Sequence, residues 1–319
     1  MRPGFAIFAG AANPALAAAI AAELGAEVGA CLVDRFPDGE VAIRLLEPVR
    51  NREIFLVQPM SPPVNDHLVE LLALADACRR AAAARLTAVL PYFGYGRGDK
   101  RHGGQEPITA RMVADILETV GIARFVTVDL HTPQVEGFFR APVETLTAVP
   151  ALCRALHDRL PPGFVVVSPD AGRAWMAAEY AECLSAPLMV LHKRRESGAE
   201  TRVGGVGGDV AGRPCLIVDD IISTGGTVAE SAAALARAGA RPEFVVAATH
   251  GLWLDGAREK LERAGVSEVF VTDTVARAAN DRPGLHVVSV APLVAGALAR
   301  LLECDSTRGV QGSPRGYGG

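Results

Sequence analysis

Asp219 and Asp220 stand just ahead of the run Ser223-Thr224-Gly225-Gly226-Thr227, in the stretch CLIVDDIISTGGT. A turn rich in glycine and hydroxyls between an apolar strand and a helix exposes backbone N–H groups near a helix N-terminus, where a phosphate is favoured. Two carboxylates at the rim of such a cradle make no sense for a phosphate alone. Carboxylates do accept hydrogen bonds from sugar hydroxyls. A pentose 5-phosphate therefore meets both halves of the motif, with its diol on the acids and its phosphate on the loop.

Other groups with chemical capacity are spread along the chain. Tyr92 to Pro107, YFGYGRGDKRHGGQEP, combines five glycines with Arg97, Lys100, Arg101 and His102. Such a segment is either a solvated loop or a mobile basic loop that closes over polyphosphate. His131 in DLH and Asp170 in SPDAG fall at the ends of expected strands, and Asp129 is placed either to orient the His131 imidazole or to cap the following turn. In HKRR, Lys193 and Arg195 occupy alternate positions and so share one side of an extended segment. No GxxxxGK[ST] pattern occurs, which excludes an ATP site of the P-loop kind.

The elements that must position these groups follow from the apolar pattern. Short apolar runs alternate with Ala-, Leu- and Glu-rich helical stretches. Strands are expected at 5–8, 54–58, 86–91, 125–129, 164–168, 188–191, 215–219, 244–249 and 269–272. Helices are expected at 14–24, 65–84, 109–120, 171–184 and 228–238. Asn13 before Pro14 is a good helix start, and Gly25, Gly121 and Gly239 close three helices. Continuous apolar strands alternating with helices indicate an α/β protein whose parallel sheets are covered on both faces. The layout repeats, with a strand running into a Gly-rich loop in each half, and Ala141 to Pro150 is the expected linker. The 319 residues, half of them hydrophobic, suffice for two domains. A net charge of −4 gives no support for nucleic-acid or membrane binding. Six scattered cysteines without a CxxC pair read as buried thiols of a cytoplasmic protein, and neither a signal peptide nor a membrane span is expected.

RFPDGEVAIRL, the run from Asn65 through YFGYGRGDKR, EPITARMVADIL, TVDLHTPQVEGFF, VVSPDAGR, HKRR and GDVAGRPCLIVDDIISTGGT together resemble the ribose-phosphate pyrophosphokinase family, in the family's order, from about Phe5 to Leu302. The resemblance implies two similar type I phosphoribosyltransferase domains. They would be an N-terminal one over 1–147 with the ATP side and flexible loop, and a C-terminal one over 148–290 with the ribose 5-phosphate loop. A helix over 291–304 would pack back on the first domain, and 305–319 would be a disordered tail. It also implies an ATP site made by Phe36 stacking on adenine, by Asp38, Gly39 and Glu40, and by Arg97 and Gly98. Mg²⁺ would be placed on the ATP phosphates by His131 and Asp170. Lys193, Arg195 and Arg97 would be catalytic, with Arg195, Asp219, Asp220 and the 223–227 loop on ribose 5-phosphate. Related enzymes associate, so a homo-oligomer that shares ATP pockets is implied. Three positions depart from the family pattern: Gly98 stands where relatives commonly carry Gln, Ser223 where many carry Asp, and Arg173 where a small residue is common.

The reaction so implied is transfer of the β,γ-diphosphoryl group of ATP to ribose 5-phosphate. Two rival readings differ in class. A base-transferring phosphoribosyltransferase shares VDDIISTGGT but needs neither FPDGE nor the Arg97 loop. A non-catalytic regulatory paralogue would bind nucleotides without needing Lys193, Arg195, His131 and Asp170.

Overall fold

The computed structural model describes residues 4–101, 103–196, 200–206, 210–276 and 283–308, with the backbone alone for 192–196, 200–206 and 304–308. In chain order the first half contains β1 (Phe5–Ala9), α1 (Pro14–Glu23), β2 (Cys31–Arg35), β3 (Val41–Leu45), β4 (Glu53–Val57), α2 (Val64–Arg80) and β5 (Arg85–Leu90). It continues with α3 (Thr109–Thr119), β6 (Arg124–Val128), β7 (Val143–Leu146) and α4 (Val149–Leu156). The second half contains β8 (Val165–Ser168), α5 (Ala174–Cys183), β9 (Leu188–Glu196), β10 (Glu200–Val206), β11 (Cys215–Ile222) and α6 (Gly226–Arg237). β12 (Phe244–Gly251), α7 (Ala257–Arg263), β13 (Val266–Thr272), β14 (Leu285–Val288) and α8 (Ala291–Arg308) complete it.

The first sheet is parallel, in the order β1-β4-β5-β6-β7. The second runs β10-β9-β8-β11-β12-β13-β14 and is parallel except for the edge pair β9–β10. After β8 the chain lays β9 and β10 on one side and then returns to place β11 on the other. The strand order reverses between β8 and β11, and in open α/β sheets ligands bind outside the carboxyl ends of the strands at such a reversal.

Strand periodicity sorts the side chains into three apolar layers. Ile7 and Val57 of the first sheet, Val166 and Leu216 of the second, and α1, α4, α5 and α8 share one core between the sheets. The alternate residues Ala6, Phe8 and Leu56 face α2 and α3 on the outer side of the first sheet. Val165, Ile217 and Val246 face α6 and α7 on the outer side of the second. Asn13 starts α1 by accepting from Leu16 N at 3.2 Å, and its Nδ2 donates to the Asp273 carbonyl at 2.8 Å, tying the halves together. Arg300 of α8 reaches Glu144 of β7 at 2.6 Å.

Some elements differ from expectation. Ala141 to Pro150 is not a free linker: it forms edge strand β7 and runs straight into α4. The Gly-rich stretch after HKRR, where no strand was expected, contains β10, an antiparallel partner of β9, while 197–199 and 207–209 lie outside the described residues. α8 carries the chain to Arg308 where a tail from Asp305 was expected, and 309–319 lie outside the described residues. Cys78, Cys153 and Cys215 are buried free thiols, whereas Cys183 is exposed. Burial pushes Cys78 up to about 12 and Cys215 up to about 11. Among the described residues, no helix is long and apolar enough to cross a membrane.

Candidate active site

β11 is buried almost throughout, and it brings Asp219 and Asp220 to the carboxyl edge of the second sheet beside the strand reversal. Beyond it, Ser223 O accepts from Leu254 N at 2.9 Å, which turns the chain toward α6. Gly225 has φ 71° at the helix start, and a Cβ there would lie 3.1 Å from the Ala257 carbonyl, so both backbone conformation and close approach call for glycine. No side chain caps this helix, so its first N–H groups have no side-chain partner, and Thr224 and Thr227 flank them in the chain, as an anion cradle requires.

His131 follows β6 of the first sheet, yet its imidazole meets the acid pair of the second. Its Nδ1 lies 2.7 Å from Asp220 Oδ2. Arg173, at the start of α5, completes the cluster. Its Nε donates to Asp220 Oδ1 at 2.8 Å and lies 3.6 Å from Asp219 Oδ1. Its Nη1 donates to the His131 carbonyl at 2.6 Å, and its Nη2 lies 2.6 and 2.9 Å from the two ring nitrogens. Nη2 is thus close to both ring nitrogens at once, which sets the guanidinium against the face of the imidazole while Nδ1 is turned to Asp220.

Burial raises the Asp219 carboxyl well above its usual range, and the neighbouring Asp220 charge adds to this. Burial acts the same way on Asp220, but the His131 hydrogen bond and the Arg173 charge outweigh it and hold that carboxyl below the usual range. The two carboxyls are thus pushed in opposite directions, and Asp220, beside the guanidinium, is the one whose charged form is favoured.

Asp129 does not orient His131. Its backbone is left-handed (φ 41°), and its carboxylate turns away to accept from Ala148 N at 3.0 Å and Thr249 Oγ1 at 2.5 Å. His250 donates from Nε2 to the Asp129 carbonyl at 3.1 Å, accepts from Thr274 at Nδ1 (2.9 Å), and stacks edge-on against Tyr92 at 4.9 Å. Burial lowers the His250 pKa, so this histidine is a neutral structural clasp between the halves. Neither His250 nor Thr249 was singled out from sequence. Their one signal was position, at the carboxyl end of apolar β12.

A cavity between the halves is lined by Tyr92, Arg97, Leu130, His131, Ile221 and His250, among others, which brings the exposed Arg97 beside the acid cluster. Gly98 lies tight against the start of α3: a Cβ there would stand 1.9 Å from Thr109 Oγ1, so a side chain at 98 requires the Thr109 hydroxyl to move aside. Phe36, Asp38, Gly39 and Glu40 form the exposed tip of the β2–β3 hairpin, with Phe36 55% exposed. The tip is held by its own turn, Phe36 N to Glu40 O at 2.8 Å and Glu40 N to Asp38 Oδ1 at 3.1 Å, and the neighbouring Arg35 reaches Asp66 at 3.4 Å. No contact of this tip with the acid cluster is seen among the described residues. Lys193 and Arg195 lie on β9 opposite Val203 and Thr201, and their side chains are outside what is described, as is His102.

The His131 ring is engaged by Asp220 and lies against the Arg173 guanidinium, and no group of three or more His, Cys, Asp or Glu placed for a metal ion occurs among the described residues, so a magnesium ion reaching His131 and Asp170 would depend on phosphate and water for most of its ligands.

Residues 5–121 match the model of the N-terminal domain of ribose phosphate pyrophosphokinase, and 202–309 match the phosphoribosyl synthetase-associated domain. Ribose-phosphate pyrophosphokinase of Corynebacterium efficiens is 43% identical over 304 residues, 94% of this chain and 93% of the relative. The chain belongs to the ribose-phosphate pyrophosphokinase family. The family protein of Mycobacterium tuberculosis (strain H37Rv) is 42% identical over 314 residues, covering 97% of this chain and 96% of its own. The crystal structure of phosphoribosylpyrophosphate synthetase from Mycobacterium smegmatis superposes with a TM-score of 0.88 at 41% identity, over 94% of this chain and 99% of that one. Membership accounts for the paired parallel sheets, and the buried Arg173 is set within that frame.

Proposed function

We propose that this chain transfers the β,γ-diphosphoryl group of ATP to the C1 hydroxyl of ribose 5-phosphate, giving phosphoribosyl diphosphate and AMP for nucleotide biosynthesis. The observation that carries the reading is β11 with its acid pair and open helix start at the strand reversal, facing Arg97 and His131 from the other half. The sugar phosphate sits on the 223–227 loop, with Asp219 and Asp220 toward its diol. The C1 oxygen attacks the β-phosphorus in line. A new C1–O–P bond forms as the bond from the β-phosphorus to the α,β-bridging oxygen breaks, AMP leaves with that oxygen, and the hydroxyl proton passes to solvent. Phosphoryl transfer of this kind asks the protein chiefly for alignment and charge. Arg97, Lys193 and Arg195 supply the charge. Mg²⁺ enters as part of the ATP substrate, since such an ion keeps several waters and binds through phosphates.

We further assign 1–147 and 148–290 to the two domains, with the helix from Ala291 packing back on the first. The Phe36–Glu40 tip, exposed and apart from its own acid cluster, suits an ATP pocket completed by a second copy, hence a homo-oligomer. We place the enzyme in the cytoplasm, with ATP and ribose 5-phosphate as partners and no nucleic acid or membrane. Calorimetry tests the site: D220N should lose ribose 5-phosphate affinity about tenfold or more, as expected for a lost charged hydrogen bond, while ATP affinity holds. Loss confined to ATP would remove the assignment.

A further inference from the structure

Arg173 stands where the resemblance expects a small residue, and its guanidinium fills the place between the two halves at which a cation would be drawn in. The residue is 8% exposed, beside two aspartates that are themselves buried. Three separate residues converge on it: Asp220 at 2.8 Å, Asp219 at 3.6 Å, and His131 through both its carbonyl and its ring. The backbone sets this up, since Arg173 N donates to the Asp170 carbonyl at 3.3 Å in the 3₁₀ turn that leads into α5. A planar guanidinium with five donors meets a carboxylate and a carbonyl at once and lies flat against an imidazole, which a hydrated ammonium does not do.

We propose that Arg173 is the resident cation of this acid pocket, a positioning residue that neutralises Asp220 and closes the His131–Asp220 site to free divalent ions. The buried aspartates are charge-balanced without metal. The sugar diol then meets acids already held in place by the guanidinium, and the divalent ion arrives only with the nucleotide. That last consequence rests on the diphosphoryl-transfer reading; the assignment of the cation does not. Removing the guanidinium leaves the Asp220 carboxylate, the neighbouring Asp219 and an imidazole around a vacated site, a donor set that suits Mn²⁺.

The test is titration with Mn²⁺ alone, followed by electron paramagnetic resonance, with no nucleotide or sugar present. R173A should gain one Mn²⁺ per chain, bound at least about 100-fold tighter than any ion the unaltered protein takes up. Repulsion between a guanidinium and a divalent ion at this range exceeds that factor even at an effective dielectric of 20. The new site should vanish in R173A/D220N and be absent in R173K, which keeps the charge. R173Q, of similar length and neutral, carries the same expectation as R173A should the latter fail to fold. Equal Mn²⁺ binding by the unaltered protein and both neutral variants would overturn the proposal, as would a new site that survives D220N. Because the titration contains no substrate, its outcome is independent of whether the chain turns over ATP.

Discussion

Replacing Asp220 or Asp219 by asparagine should affect stability in opposite ways, although the two residues are adjacent and both buried. Asp220 is the ionised member, with Arg173 at 2.8 Å and His131 at 2.7 Å, and its side chain is 4% exposed. D220N keeps the shape and removes the charge, leaving the guanidinium with Asp219 at 3.6 Å. Breaking one side of a buried pair costs about 3–5 kcal/mol. The retained amide hydrogen bonds put D220N near the lower figure, or at least about 5 °C in Tm for a chain of this size. Asp219 holds its proton in the folded chain at a pH where the unfolded chain has lost it. The folded state then binds more protons, so stability falls as pH rises from the ordinary carboxylate range, near about 4, towards neutrality. D219N abolishes that loss: its Tm should match or exceed the unaltered protein's at pH 8, and the drop between pH 5 and 8 should shrink. Asp220, held low, contributes stability that persists above the ordinary carboxylate range and is lost only in strong acid, so D220N should melt lower at both pH values. Thermal melts of the three proteins at pH 5 and 8 decide the matter. Equal losses for D219N and D220N, or an unchanged pH dependence in D219N, would refute the reasoning.

K193A should lower kcat by on the order of 10²-fold or more while ribose 5-phosphate and MgATP bind within a few-fold, because the ammonium meets charge that develops in the transition state; steady-state kinetics paired with calorimetry reads both. Trypsin should cut the free protein at the exposed Arg97, Lys100 and Arg101 and should do so far more slowly with MgATP, and unchanged cleavage would leave the segment a solvated loop. G98A should cost about 1–3 kcal/mol by overpacking against Thr109 Oγ1. T109A should recover most of that, with a coupling of at least about 1 kcal/mol in the double-mutant cycle, whereas additive losses would place the strain elsewhere.

The central strands were legible because burial on both faces makes them continuous apolar runs. The strands that escaped notice lie at edges or outside the two main sheets. β2 and β3 alternate exposed and half-buried residues in a separate hairpin, β7 is four residues long, and β10 carries two glycines. Of the site, the loop after β11 was legible because strand, acids, glycines and helix are contiguous in the chain. Contacts across the halves were not. Nothing local tells that Arg173 reaches Asp220, 47 residues on, or that Asp129 turns to Thr249, 120 residues away. Those pairings come from two sheets packed with their carboxyl edges together, and periodicity within one strand carries no record of that.

The most direct measurement is a ³¹P NMR time course of the protein with ATP, Mg²⁺ and ribose 5-phosphate. Diphosphoryl transfer predicts that AMP and a sugar-linked diphosphate appear together in equal amounts, and that neither forms without the sugar. ADP accompanied by a singly phosphorylated C1, or AMP formed without ribose 5-phosphate, would contradict it.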